Sequence, residues 1–154
     1  MQAMQIRAAT NADLPQIIAL LAQDDLGKSR EEFTSPIAQS YLDAFQQIQA
    51  DSNQDLMVAV EDENSVVGTF QLSFIPYLTY QGGIRAQIEA VRVRADKRGE
   101  GLGKKLFQWA IERAQAKGAH LIQLTTDKKR PEALKFYLAL GFSASHEGLK
   151  LHFK

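Results

Sequence analysis

The order of periodicities along this chain predicts a mixed fold, α/β or α+β, with one sheet flanked by helices. Three observations predict it. Apolar residues first recur every three or four positions in two separate segments. Two strand-like runs joined by a short polar turn follow. The second half then alternates strand, helix, strand, helix, which brings a mixed sheet rather than a purely antiparallel one.

The elements follow in order. Residues 5–9 read as a short first strand. Thr10-x-x-Asp13 is a capping-box-like start for a helix whose apolar positions are Leu14, Ile17, Ile18 and Leu21. Residues 27–35 read as polar loop. Pro36 suits the first turn of a second helix carrying Ile37, Tyr41, Ala44, Phe45 and Ile48. Runs at 56–60 and 66–74 flank turn-forming residues 61–65 and read as an antiparallel hairpin. Residues 77–83 are a turn with two tyrosines and Gly82-Gly83, and 84–93 a strand. From Gly101 the pattern is helical through Leu102, Leu106, Trp109, Ala110 and Arg113, with Gly118 suited to a left-handed C-cap. A strand at 121–125, a helix at 131–140 ended by Gly141, and a terminal strand pair at 143–153 complete the expectation. No repeat, low-complexity stretch or linker interrupts residues 1–154, so a single domain is expected.

Composition narrows the function classes. The chain has 154 residues, 45% hydrophobic and 23% charged, enough for a buried core and unlike a disordered segment. Lys plus Arg equals Asp plus Glu at 18 each, so no global field points to nucleic acid or an anionic membrane. Absence of cysteine excludes disulfides, thiolate metal sites and a cysteine nucleophile. Met1-Gln2-Ala3-Met4-Gln5 lacks the charged start and apolar run of a signal peptide, and no apolar stretch is long enough to span a bilayer. A cytoplasmic protein with no membrane partner is expected.

Chemistry concentrates in Val91-Arg92-Val93-Arg94-Ala95-Asp96-Lys97-Arg98-Gly99-Glu100-Gly101-Leu102-Gly103-Lys104-Lys105. A strand runs into a turn with three glycines, and a helix begins at once. The first N–H groups of a helix have no intrahelical partner, and glycines let a ligand approach the backbone, so phosphate oxygens are the natural occupant. Arg85, Arg92, Arg94, Lys97, Arg98, Lys104 and Lys105 against Glu89, Asp96 and Glu100 leave a local net charge of about +4 in a neutral protein. A P-loop would need glycine at Arg98 and Ser or Thr at Lys105; a dinucleotide fingerprint starting at Gly99 would need glycine at Lys104. Both fail.

The pattern that survives, Arg98-x-x-Gly101-x-Gly103, resembles the pyrophosphate-binding signature of the GNAT superfamily of N-acetyltransferases. Pro131-Glu132-Ala133-Leu134-Lys135-Phe136-Tyr137-Leu138-Ala139-Leu140-Gly141-Phe142 resembles that family's later motif, and the two stand in its order. One position departs: many members carry Asn seven residues before the Tyr, where this chain has Arg130. The resemblance implies a GNAT-like fold with a mostly antiparallel mixed sheet and a cofactor cleft between splayed fourth and fifth strands. It implies acetyl-CoA as co-substrate, with Val91, Arg92 and Val93 pairing with its pantetheine arm. Arg98, Gly99, Glu100, Gly101, Leu102, Gly103 and Lys104 would hold its pyrophosphate. It also implies direct attack of a primary amine, a small-molecule acceptor, on the thioester.

Tyr137 matches the family's tyrosine and is the candidate acid for the leaving thiolate; by spacing alone it is also a core aromatic. Glu89 is the candidate base, or else a strand carboxylate paired with Arg85 or Arg7. Its even offset from Val91 places both on one strand face. His146 is a weaker base candidate, His120 reads as structural, and three scattered histidines make no metal site. Asp24, Asp25, Glu31, Glu32, Tyr41, Tyr77 and Tyr80 are candidates to face an acceptor amine. Two other readings stay open: an acyl-CoA-binding regulatory protein without turnover, and a nucleic-acid-binding regulator using Asp127-Lys128-Lys129-Arg130, for which no helix-turn-helix signature speaks. A homodimer through the C-terminal strands or the sheet edge is a further expectation.

Overall fold

A computed structural model describes residues 4–154 and omits the side chain of Asp25, so the expectations for Met1 to Ala3 and for the Asp25 carboxylate lie outside the described residues. The chain divides into two compact units, one ending at Gln123 and one spanning Leu124–Lys154, and each stands by itself below.

The first unit is one five-stranded sheet in sequence order: β1 (Gln5–Ala8), β2 (Gln54–Asp62), β3 (Ser65–Pro76), β4 (Ile84–Val93) and β5 (Ala119–Gln123). The first three pairings are antiparallel and β4–β5 is parallel, which makes the sheet mixed and mostly antiparallel as expected. The helices are α1 (Leu14–Ala22), a short α2 (Asp25–Lys28), α3 (Gln39–Ala50) and α5 (Leu102–Ala116), with the single turn α4 (Thr79–Gly82) between β3 and β4. β4 pairs with β5 only from Ile84 to Gln87, so its last six residues run on without a β5 partner. That is the divergence the cleft requires.

Alternation explains the two sheet faces. Phe70, Leu72 and Ile88 are buried on the face that receives Leu106, Phe107 and Ala110 of α5, and the Phe70 ring meets Trp109 with centroids 5.7 Å apart. The other face carries Val58 and Val60 against Leu14, Ile17 and Leu20 of α1 and Phe45 of α3. Fully burying one such large side chain is worth about 1.5–3 kcal/mol. The start of α1 is fixed as its sequence suggests. The Asp13 carboxylate accepts from the Thr10 N–H at 2.7 Å and from Arg7 at 2.7 and 3.0 Å. Burial pushes the Asp13 carboxyl up, but the hydrogen bonds from Arg7 and Thr10 outweigh it and hold the group below its ordinary value.

Several boundaries differ from the expectation. Residues 25–28 form α2, which runs into the first two residues of the loop expected at 27–35, because the Asp24 side chain caps it by accepting from the Gly27 N–H at 2.5 Å. Pro36 follows a cis bond and α3 starts only at Gln39, so Pro36 is not in its first turn. β5 begins two residues earlier than read.

The second unit contains α6 (Pro131–Ala139), ended by Gly141 at φ 103°. The expected strand pair at 143–153 does not form: no ladder is made there among the described residues, and a strand without a partner has no hydrogen bonds to hold it. Leu149, Leu151 and Phe153 nonetheless alternate and are 90%, 82% and 92% exposed. Among the described residues no helix is long and apolar enough to cross a membrane.

Candidate functional site

β4 positions everything of chemical interest in the first unit. At its end a short 3-10 turn (Ala95–Lys97) leads into the glycines. Gly99 and Gly101 hold φ +82° and +81°, a left-handed conformation that side chains rarely adopt, and a Cβ at either would meet nothing within 4 Å. The turn is therefore open on its outer side. Gly101 is the N-cap of α5, no side chain caps the helix there, and the first intrahelical bond runs from the Lys105 N–H to the Gly101 carbonyl at 3.2 Å. The N–H groups of residues 101–104 thus lie ahead of the helical ladder, with the positive end of the helix dipole behind them.

The charges nearby sort into two groups. Arg94 forks on to Asp96 at 2.6 and 3.0 Å and reaches Glu61 at 3.6 Å, and Lys97 also pairs with Glu61. The Arg98 side chain donates to the Val93 carbonyl at 3.3 Å, and among the described residues Arg98, Lys104 and Lys105 make no ion pair. The local excess read from sequence is therefore carried at the turn by Arg98, Lys104 and Lys105. Room, unpaired donors and unspent cations together fit a pyrophosphate.

Midway along β4 the ladder breaks. Arg92 stands opposite Thr69 and Glu89 opposite Gln71, so Ala90 and Val91 together face Phe70: a β-bulge, with Ala90 at φ 55°. Directly opposed residues share a face, and so do Thr69 and Gln71 two apart. Glu89 and Arg92 therefore share the face of α1 and α3. The even spacing that put Val91 with Glu89 does not carry across the bulge. Glu89 is exposed and accepts from Gln87 at 2.7 Å; Arg7 goes to Asp13 instead, and Arg85 stacks on tyrosines.

Beside the bulge lies an apolar cavity of about 120 Å³, walled by α1, α3, β2, β3 and Ala90. Its rim carries Tyr41, whose hydroxyl donates to Glu31 at 3.1 Å and accepts from the Glu32 N–H at 3.0 Å. Burial raises the Tyr41 hydroxyl above its ordinary value, keeping it a donor. Arg92, expected to act through its backbone, also sends its side chain to Asp24 at 3.0 Å, with only 12% of that side chain exposed.

Tyr77, Tyr80 and His120 gather at the start of β4. Tyr77 and Tyr80 clasp the Arg85 guanidinium at 4.5 and 5.6 Å, and Tyr80 stacks on His120 at 4.6 Å. Tyr137 belongs to the second unit, half-buried on α6 with its ring edge-on to Phe136 and Phe142. Exposed His146 meets Ser145 Oγ at 2.7 Å. Among the described residues no cluster of His, Asp or Glu is arranged for a metal. Sequence reasoning missed the bulge, the Arg92–Asp24 pair and the cavity. A three-or-four spacing marks an apolar helix face without revealing that two such faces leave a void.

The parting of β4 from β5 and a glycine turn feeding an uncapped helix make a backbone cradle suited to an anion. Comparison with known proteins makes this specific: residues 24–142 match the acetyltransferase (GNAT) family, and the chain belongs to that family of acyltransferases. It is 31% identical over 146 residues to an aminoalkylphosphonate N-acetyltransferase of Salmonella typhimurium, covering 95% of this chain and 89% of that one. It is likewise 31% identical over 142 residues to an L-methionine sulfoximine/L-methionine sulfone acetyltransferase of Pseudomonas aeruginosa, covering 91% and 80%. Among solved structures, one described as a transcriptional regulator from Bacillus halodurans C-125 superposes with TM-score 0.94 at 54% identity, covering 98% and 100%.

Proposed function

We propose that this protein transfers the acetyl group of acetyl-CoA to a primary amine on a small molecule. The observation that carries the reading is the uncapped start of α5 behind Gly99 and Gly101, open outward and flanked by Arg98, Lys104 and Lys105. In this reading the N–H groups from Arg98 to Lys104, including Glu100, Leu102 and Gly103, hold the pyrophosphate, and Val91, Arg92 and Val93 pair with the pantetheine arm. Acetyl-CoA supplies a thioester with an electrophilic carbonyl carbon and a stable leaving thiolate.

The protein's share is to position and to move protons. An alkylammonium titrates near 10, so near neutral pH it needs a proton acceptor, and Glu89 takes that role directly or through water. The bulge leaves β4 backbone groups outside the ladder, which supports the Val91 N–H as donor to the developing oxyanion. Tyr137, by its match to the family motif, gives the thiolate its proton. A cytoplasmic setting and a homodimer in which Leu149, Leu151 and Phe153 are covered belong to the same reading; sedimentation checks the latter. The named activities of the two curated relatives, both on small molecules, support a small acceptor.

The test incubates acetyl-CoA with a panel of small amines, polyamines and peptides, following free thiol and acetylated product by mass spectrometry. Equal amounts of both with one class of amine are expected; thiol without acetylated amine overturns the reading. The description of the Bacillus halodurans structure favours a second reading, in which the same cradle binds acyl-CoA and the chain reports its level. A salt-sensitive DNA mobility shift together with no turnover would select it.

A further inference from the structure

We propose that the cavity beside the β4 bulge seats the side arm of the acceptor, so the acceptor class is a primary amine carrying a compact apolar group of about four to six heavy atoms. This deepens the acetyl-transfer reading and rests on it. Leu14, Ile17 and Leu21 of α1, Ala44 and Ile48 of α3, and Leu56 of β2 wall a space of about 120 Å³. A dry apolar cavity of about 150 Å³ is large enough for benzene, so this one holds a branched alkyl chain or a small thioether. Voids left in a core are destabilising, and an unpaired hydroxyl, amide or anion placed among these walls would lose its water without compensation.

The mouth supplies the orientation. Ala90, the bulged residue, and Gln71 both line the cavity, and Glu89 stands opposite Gln71 in the ladder. An amine whose apolar arm fills the cavity therefore has its nitrogen at the level of Glu89 and the bulge. There the carbon–nitrogen bond forms at the acetyl carbonyl and the carbon–sulfur bond breaks. One amine proton leaves by Glu89, the thiolate takes a proton, and the products are an acetamide and free thiol. One Gln71 amide N–H donates to Gln54 at 2.9 Å and the Thr69 hydroxyl donates to the Met57 carbonyl at 2.8 Å, so these two donors are committed within the fold.

The experiment compares isopentylamine with ethylamine, ethanolamine and 2-aminoethylphosphonate in the wild type and in Ala44→Leu and Ile48→Phe, which fill the cavity from α3. Melting temperatures confirm that at least one variant folds. In the wild type kcat/KM should be at least tenfold higher for isopentylamine than for ethanolamine. Either filled variant should lower the isopentylamine-to-ethylamine ratio at least tenfold. Calorimetry of isopentylamine against the CoA-loaded protein should show affinity at least tenfold weaker in the variants. A wild type that prefers the phosphonate or the hydroxyl amine, or equal isopentylamine affinity in all three proteins, overturns the proposal. If isopentylamine binds and the variants weaken it while no amine releases thiol, the transfer reading fails and the cavity assignment stands.

Discussion

Two regions of β4 lie only about ten residues apart and are built on opposite principles. The glycine turn at its end is made of backbone: left-handed Gly99 and Gly101, the first N–H groups of α5, and three exposed cations. The bulge and cavity in its middle are made of side chains from α1, α3, β2 and β3 that meet only in the folded sheet. The turn asks little of its neighbours and a great deal of its own residue types. The cavity asks the reverse. A backbone-built site suits a co-substrate shared by many enzymes, whereas a side-chain-built site can differ from one enzyme to the next without disturbing the turn.

The proton donor proposed for the leaving thiolate offers the largest way to break the comparison. Tyr137→Phe removes one hydroxyl, keeps the ring and should leave stability almost unchanged. Turnover should fall on the order of 10²-fold with acetyl-CoA affinity nearly constant. Unaltered turnover under conditions where chemistry limits the rate would assign Tyr137 to packing against Phe136 and Phe142.

Glu89→Gln sharpens the comparison at the bulge. The carboxylate becomes an amide of the same shape, so Gln87 keeps an acceptor. The acidic limb of the kcat/KM profile should shift or vanish, and activity near neutral pH should drop by about tenfold or more. The loss should shrink at high pH, where more amine is already neutral. An equal loss at every pH would make Glu89 a binding residue.

A smaller effect is expected from Arg92→Met, which leaves Asp24 half-buried without its cation. Stability should fall by about 1–3 kcal/mol and the amine KM should rise several-fold, with acetyl-CoA affinity changed less than twofold. Unfolding titrations and steady-state kinetics read the two effects separately. The smallest effect on function lies at the start of α1. Because the folded Asp13 carboxyl is held below its ordinary value, its contribution to stability is present above about pH 4 and fades as pH falls through the folded value. Arg7→Met should flatten that acid limb in thermal melts while leaving both ligand affinities within twofold.

These predictions follow the line between what the sequence makes legible and what it does not. Gly101, Gly103 and Lys104 could be placed on a turn opening a helix from spacing alone, because backbone conformation there is dictated by the residues themselves. The hairpin of β2 and β3 and the face of α5 were readable for the same reason. Ala90 carries no such mark: an alanine in a run of alternating strand residues gives no sign of positive φ, and only its partners across β3 reveal the bulge. Asp24 and Arg92 are 68 positions apart, and their pairing depends on where α2 is capped. Leu149, Leu151 and Phe153 alternate as a strand should, yet alternation supplies a face and not a partner.

Calorimetric titration of acetyl-CoA into the wild type, Gly101→Asp and Ala44→Leu tests the division of labour most directly. Aspartate tolerates the left-handed conformation at a cost of about 1–2 kcal/mol and places a negative charge in the open side of the turn. The account predicts affinity at least tenfold weaker in Gly101→Asp, a loss of about 1.4 kcal/mol or more, with wild-type affinity falling as salt rises. It predicts Ala44→Leu within twofold of wild type. Equal affinity for acetyl-CoA in the wild type and Gly101→Asp, both folded, would contradict it.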